Sequence, residues 1–174
     1  MIVVLMGVSG VGKTTLGQLL AARTGWKFED ADDYHSEDNR RKMATGIPLT
    51  DGDRGPWLKA LHQRMSQYHQ KGENVILACS ALKRRYREVL AAGFAADEMR
   101  FVYLHAPSPL IKERMKMRHH PYMNPDLLES QLTTLEVPPD AWSITVDGTT
   151  EQAASQILAR LREAGVLNAG AQKL

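Results

Sequence analysis

The segment Gly7–Thr14 constrains this chain more than any other part of the sequence. It reads GVSGVGKT and matches the phosphate-loop pattern G-x-x-x-x-G-K-[ST] at every fixed position. The apolar run Ile2–Met6 precedes it and is typical of a strand buried on both faces, and leucines at helical spacing follow it in Lys13–Arg23. Glycines let the backbone curl so that its N–H groups and the helix N-terminus surround an anion. The sequence therefore predicts a phosphate-binding loop that opens a first helix.

Each part of this loop has a predicted role toward a nucleotide. Backbone N–H groups can bind phosphate oxygens, Lys13 can reach the β- and γ-phosphates, and the hydroxyl of Thr14 can bind Mg²⁺. A glycine-rich turn without a ligand is the alternative, and the intact flanks disfavour it. The predicted nucleotide-binding residues of the loop are Gly7, Val8, Ser9, Gly10, Val11, Gly12, Lys13, Thr14 and Thr15.

Strand and helix patterns alternate along the rest of the chain. The strand patterns lie at 26–29, 74–79, 100–104 and 143–146, and the helical patterns lie at about 36–44, 53–70, 81–92, 109–118, 126–135 and 150–164. Such alternation predicts an α/β fold with a parallel sheet covered by helices. Right-handed crossovers place the carboxyl ends of all strands at one edge, where ligands bind. We therefore expect the loops after Met6, Glu29, Cys79 and Leu104 to meet at one site.

Composition excludes several classes of protein. The 174 residues are 43% hydrophobic and 24% charged, which is typical of a globular chain. We expect a single domain over residues 1–174, long enough to bury a core without disulfides. The net charge of +2 is too small to indicate nucleic-acid binding, and no run approaches the ~20 apolar residues of a membrane span. With Cys79 as the single cysteine, we expect a cytoplasmic protein without membrane or nucleic-acid partners.

An acidic segment follows the second predicted strand. Asp32 is the candidate carboxylate that accepts or orients the proton of an acceptor hydroxyl, and Asp30 is the candidate Mg²⁺ contact, partly through water. His35 could form a hydrogen bond to a polyol. The alternative is a solvated loop that caps a helix beginning near Ser36. The third predicted strand ends without an acidic residue, and the guanine-binding string N-K-x-D is absent, so a small-molecule kinase fits better than a switch GTPase.

Two further groups of basic residues point to the acceptor and to a lid. Arg54, Lys83 and Arg84 are candidates for binding a carboxylate-bearing acceptor, although a solvated face is the alternative. Arg114 and Arg118 lie four positions apart and share a helix face. They could neutralise charge on the transferred group from a helical lid at about 109–135, unless the hairpin is only a surface feature. The predicted catalytic residues are Lys13, Asp32 and Arg118.

Five strings carry a family resemblance: LMGVSGVGKTT, DADDYH, KMATGIPLTDGDRGPWL, ACSALKRRYR and LLESQLTTLE. They resemble the gluconate kinases (gluconokinases) of the shikimate-kinase-like group of P-loop kinases. The resemblance covers Leu5 to about Asp147, and the strings at 42–58 and 79–87 are specific to this family. Shikimate kinases share only the phosphate loop and the D-x-D pair.

The resemblance implies a three-layer α/β fold with a five-stranded parallel sheet of order 2-3-1-4-5 and a small helical lid. It also implies a homodimer that phosphorylates D-gluconate at its 6-hydroxyl with ATP and Mg²⁺. The family's nucleotide contacts map onto the phosphate loop and its hydroxyl partner onto Asp32. The family's remaining contacts map onto His35, Arg54, Lys83 and Arg84 for the acceptor and onto Arg114 and Arg118 for the lid.

The chain departs from the family at the lid turn. The family commonly reads R-K-G-H-F after the lid arginine, and this chain reads RHHPY at 118–122. His119 or His120 could replace the family histidine. Val11 stands where serine is common, and its backbone N–H serves equally. Two rival functions stay open at this point: a kinase of another sugar acid or shikimate-like hydroxy acid, and a nucleotide-dependent RNA-binding module.

Overall fold

A five-stranded, all-parallel sheet forms the centre of the molecule, and its strand order is β2-β3-β1-β4-β5. The computed structural model describes residues 1–117 and 125–167. Both the α/β class and the strand order expected from the sequence are confirmed. The strands are β1 (Ile2–Met6), β2 (Lys27–Asp30), β3 (Val75–Ala78), β4 (Met99–His105) and β5 (Trp142–Thr145).

Helices cover both faces of this sheet. Side chains of β1 alternate between two cores, with Val3 and Leu5 in one and Ile2 and Val4 in the other. The first core is closed by α1, α5 and α7, and the second by α3 and α4. All five side chains of β1 are fully buried, as its continuous apolar run predicts. The helices are α1 (Lys13–Thr24), α2 (Glu37–Ala44), α3 (Asp51–Gln70), α4 (Arg84–Ala91), α5 (Ser108–Met117), α6 (Pro125–Thr134) and α7 (Thr150–Glu163).

Local hydrogen bonds set where the helices begin. Thr50 and Asp53 form a reciprocal capping box, so α3 begins at Asp51, two residues before the predicted start. Thr149 and Gln152 cap α7 in the same way. Within the described ranges, each helix is too short or too polar to cross a lipid bilayer.

One helix begins later than the sequence pattern predicts. The predicted helix at 81–92 starts at Arg84, because Ala81 adopts a left-handed backbone with φ of 43°. The buried guanidinium of Arg87 donates hydrogen bonds to the carbonyl oxygens of Ala81 (2.9 Å) and Leu82 (3.0 Å). These carbonyls are satisfied by a side chain instead of a helical turn, so the segment from Ser80 to Lys83 is irregular and belongs to neither a helix nor a strand.

Candidate active site

Glycines let the phosphate loop pass close to its neighbours. Gly7 has a φ of 138°, and a Cβ there would lie 2.5 Å from the carbonyl oxygen of Leu104. Gly10 has a φ of 79°, and its Cβ would lie 2.6 Å from the side chain of Met115 on α5. Both positions therefore exclude a side chain through backbone conformation and space together. The loop is consequently held tightly between β4 and the helix α5.

Lys13 spans the mouth of this loop. Its Nζ donates to the carbonyl oxygens of Gly7 and Val8, both at 3.0 Å. Burial lowers the pKa of Lys13, and the nearby negative charges of Asp32 and Asp30 oppose that shift. The first N–H groups of α1 have no acceptor within the helix and no side-chain cap, so they also face the loop. The arrangement offers a positive, donor-rich concavity to an anion.

Thr14 and Asp30 meet beside the loop, as the rule of the sheet edge predicts. The hydroxyl of Thr14 donates to Oδ2 of Asp30 at 2.7 Å. The other carboxylate oxygen of Asp30 accepts the N–H of Asp32 at 3.1 Å, which begins the 3₁₀ turn Ala31–Tyr34. A hydroxyl and a carboxylate are oxygen donors of the kind that Mg²⁺ prefers. Among the described residues no cluster of three or more histidine, cysteine or acidic side chains suits a metal, so an ion here would depend on phosphates and water for its other ligands.

Asp32 and His35 lie at opposite ends of the same turn. The Asp32 carboxylate is largely exposed, with 75% of its side chain open to solvent. His35 is buried and stacks on Trp57, with the two rings 4.4 Å apart. The indole of Trp57 donates to the carbonyl oxygen of Ala31 at 2.7 Å, which fixes this stack beneath the turn. A separation of 3.8 Å between His35 Nε2 and Asp32 Oδ1 is too long for a hydrogen bond.

His35 makes the stability of the fold depend on pH. Burial, together with the positive charges of Arg54 and Arg40, lowers the pKa of His35 from 6.5 to about 4. The unfolded chain takes up a proton below about pH 6.5, while the folded chain stays neutral at this residue down to about pH 4. We therefore expect the free energy of unfolding to fall by about 3 kcal/mol between pH 6.5 and pH 4, because His35 takes up a proton only in the unfolded chain.

Urea unfolding at pH 7 and pH 4.5 measures this effect. The variant His35→Phe keeps a ring against Trp57 but cannot take up a proton. Its free energy of unfolding should fall less than that of the wild type between the two pH values. An equal fall in both proteins would contradict the assignment of this pH dependence to His35.

A cluster of charged side chains lies at the N-terminal ends of α3 and α4. Asp51 accepts hydrogen bonds from Lys83 at 3.1 Å, from Arg85 and from the hydroxyl of Tyr86. The Tyr86 hydroxyl, with Lys83 and Arg85, lowers the pKa of Asp51 to about 2. The guanidinium of Arg54 lies over the Tyr86 ring, with its central carbon 5.6 Å from the ring centroid.

This cluster brings together two of the three predicted acceptor cations. Arg54 and Lys83 share the Tyr86 ring. Arg84, the third, is 80% exposed and pairs with Glu88 at 2.7 Å, so it lies apart from them. Sequence reasoning missed Asp51, Arg85 and Tyr86. The string DGDRGPWL contains Asp51, but only the fold shows that this residue lies against α4.

The hairpin of α5 and α6 lies over the phosphate loop. Arg114 lines a groove together with Thr15 of α1 and with Val146, Gly148 and Thr149, which follow β5. The residues after β5 were not predicted, although the sheet-edge rule applied to the fifth strand could have found them. The predicted lid residue Arg118 and the turn 119–122, with His119 and His120, lie outside the described residues.

The thiol of Cys79 fits a packing role. Cys79 directly follows β3 and is buried in the core. Burial raises the pKa of Cys79 to about 12, so the side chain stays a neutral thiol. This agrees with its interpretation as a small core residue.

The parallel sheet, the glycine loop with its lysine, and the Thr14–Asp30 pair together define a P-loop kinase. A family model described as an AAA domain matches residues 2–138. The chain is 42% identical to a probable gluconokinase of Mus musculus, over 94% of this chain and 96% of the relative. It is 45% identical to a gluconokinase of Gluconobacter oxydans, over 79% of this chain and 76% of the relative. The chain belongs to the gluconokinase family.

Solved structures support the same placement. A gluconokinase from Sinorhizobium meliloti is 40% identical and covers 92% of this chain, with 93% of its own length covered and a TM-score of 0.78. A sugar kinase from Janibacter sp. is 42% identical, with a TM-score of 0.85 and coverage of 96% of this chain and 98% of that one. The shikimate kinase of Aquifex aeolicus is only 17% identical with a TM-score of 0.60, which shows a shared fold alone.

Proposed function

We propose that this protein transfers the γ-phosphoryl group of ATP to the 6-hydroxyl of D-gluconate. The observation that carries the proposal is the surroundings of Asp32. Its charge acts on Lys13 of the phosphate loop, and it lies 3.8 Å from His35, on which the charge of Arg54 from the cluster around Tyr86 acts. Gluconate combines a carboxylate at one end with a primary hydroxyl at the other. A phosphate loop and a cationic cluster that both lie near this turn suit such an acceptor.

The chemistry follows from these positions. The acceptor oxygen attacks the γ-phosphorus while the bond from that phosphorus to the β-γ bridging oxygen breaks, and Asp32 accepts the hydroxyl proton. Lys13 and the N–H groups of the loop hold the phosphates and offset the charge that moves onto ADP. Arg54 and Lys83 bind the carboxylate of the acceptor. His35 forms a hydrogen bond to one of the acceptor's hydroxyl groups. We assign the nucleoside to the groove that Arg114 lines.

Magnesium belongs to this proposal. Thr14 and Asp30 would hold the ion, Thr14 through its hydroxyl and Asp30 partly through water, and the ion would neutralise phosphate charge. The variant Asp30→Asn keeps an oxygen that accepts the Asp32 N–H but removes the negative charge. We expect it to raise the Mg²⁺ concentration for half-maximal activity roughly tenfold, because partners of metal ligands typically contribute 10–100-fold to metal affinity.

A magnesium titration at saturating ATP measures this change. Asp38→Asn is the matched control, since Asp38 is an exposed carboxylate that pairs with Arg41. An unchanged magnesium requirement in Asp30→Asn would remove Asp30 from the metal site.

A panel of acceptors tests the substrate. ADP formation is measured with D-gluconate, L-idonate, 5-keto-gluconate, shikimate and glucose, and the position of the phosphate on the product is found by NMR. Turnover with gluconate at the 6-hydroxyl supports the proposal. Preference for another acid would favour the first rival function. ATP binding without turnover, together with RNA binding that weakens steeply with salt, would favour the RNA-binding module.

We also propose a homodimer of single-domain subunits, residues 1–174, that works in the cytoplasm with a lid at about 109–135. The family resemblance of the sequence supports the dimer, and the contacts of α5 and α6 with the phosphate loop support the lid. Light scattering coupled to size-exclusion chromatography measures the mass. A species of one chain, of 19.4 kDa, would contradict the dimer.

A further inference from the structure

Gln131 on α6 forms hydrogen bonds to Ser9 of the phosphate loop, which lies 122 positions earlier in the sequence. The N–H of Ser9 donates to Gln131 Oε1 at 2.7 Å, and Gln131 Nε2 donates to the hydroxyl oxygen of Ser9 at 3.0 Å. Leu128 lies on the same face of α6, one turn earlier, and is fully buried in the core. The helix is therefore anchored where it presents Gln131 to the loop.

These two hydrogen bonds make the Ser9 hydroxyl oxygen an acceptor from Gln131 and leave its proton for another partner. A backbone N–H can only donate, so the carboxamide must turn its oxygen toward it and its NH₂ toward the hydroxyl. The hydroxyl oxygen then accepts from Gln131. Its own proton must point to a different acceptor, and phosphate oxygens are the acceptors that this loop is built to receive.

We propose that Gln131 is a positioning residue that makes the Ser9 hydroxyl a hydrogen-bond donor to a phosphate oxygen of ATP. The proposal rests on the kinase function proposed above and adds a residue to it. Gln131 itself does not touch the reacting atoms. It acts through Ser9, and it ties the state of the α5–α6 hairpin to the state of the loop.

The other helix of the hairpin reaches the neighbouring loop residue. Met115 and Ile111 of α5 pack where a side chain on Gly10 would lie, at 2.6 Å and 3.2 Å from its Cβ position. Both helices of the hairpin thus contact adjacent residues of the loop, Ser9 through hydrogen bonds and Gly10 through packing. A shift of the hairpin would move the Ser9 hydroxyl with it.

A double-mutant cycle tests the proposal. Gln131→Met removes both hydrogen bonds at similar volume, and Ser9→Ala removes the hydroxyl. Each change should lower kcat about tenfold, a magnitude typical of losing one hydrogen bond to a charged group. The double variant should be no worse than either single variant, because both act through one proton.

The variant Gln131→Glu separates positioning from mere structural support. An ionised carboxylate accepts both the N–H and the hydroxyl proton of Ser9, so the donor toward phosphate is lost. A protonated carboxyl again donates to the hydroxyl oxygen. The ratio of kcat in Gln131→Glu to kcat in the wild type should therefore rise as the pH falls toward the pKa of that carboxyl.

Glu129→Gln is the matched control on the same helix. Glu129 pairs with Lys112 of α5 at 2.7 Å, and these side chains are 63% and 49% exposed, so the substitution removes a surface ion pair of little energetic weight and does not touch the loop. We expect its kcat to equal that of the wild type. Thermal unfolding of every variant confirms that the fold is kept.

Two results would overturn the positioning role. One is full activity in Ser9→Ala, and the other is additive losses in the double variant with a flat pH ratio in Gln131→Glu. If the wild type does not phosphorylate gluconate, the proposed substrate fails independently. The double-mutant cycle is then built from the Kd for ATP of each variant, measured by calorimetry. Non-additive losses of ATP affinity support the role of Gln131, and additive losses overturn it.

Discussion

The variant Lys13→Ala is expected to lose about a thousandfold in kcat/KM, since removing one preorganised donor to a developing anion commonly costs 10²–10³-fold. Lys13 is the one loop side chain with a full positive charge, and its Nζ is held against the carbonyl oxygens of Gly7 and Val8. Two of its three N–H donors are thus held by the loop, and the third can donate to a phosphate oxygen. Steady-state kinetics with ATP and gluconate measure the loss.

Lys59→Ala is the control for this variant. Lys59 is an exposed lysine on α3, and its removal changes the net charge by the same amount. Its kcat/KM should stay within a factor of two of the wild type by the usual small effect of surface substitutions. Activity of Lys13→Ala within about tenfold of the wild type would mean that the backbone N–H groups alone hold the phosphates.

The parts of this molecule that sequence reasoning predicted are those governed by local pattern. The run Ile2–Met6 fixes β1 as a strand buried on both faces, because every one of its residues is apolar. The spacing of Gly7, Gly12 and Lys13 fixes the loop, because each serves a local backbone requirement. The proximity of Thr14 to Asp30 follows from topology, because the parallel strands β1 and β2, on either side of β3, end at the same edge of the sheet.

The contacts that sequence reasoning missed depend on how distant elements rotate against each other. Successive residues of a helix point about 100° apart, so the phase of α4 decides that Arg85 contacts Asp51 while Arg84 turns to Glu88. The start of that helix depends in turn on the left-handed backbone of Ala81. Residues other than glycine rarely adopt this conformation, so the sequence does not predict it. Gln131 lies within the predicted helix at 126–135, but only the packed fold brings it to Ser9.

The variant Asp32→Asn is expected to lower kcat by ~10²–10⁴-fold, the usual contribution of a positioned general base. Asparagine keeps the size of the side chain and the N–H that Asp30 accepts, but it cannot take up the hydroxyl proton. The KM for ATP should change little, because Lys13 and the loop hold the nucleotide. Initial rates at saturating gluconate separate the two constants.

Asp33→Asn is the matched control, because it makes the same substitution one residue further along the 3₁₀ turn. Asp33 contributes its carbonyl oxygen to Arg40, a contact that asparagine preserves. Equal losses in both variants would mean that the turn needs negative charge in general and not a base at one position. A large loss in Asp32→Asn alone, with the fold of both variants intact, would locate proton transfer at Asp32. A large rise in the KM for ATP alongside the fall in kcat would instead place Asp32 among the groups that hold the nucleotide.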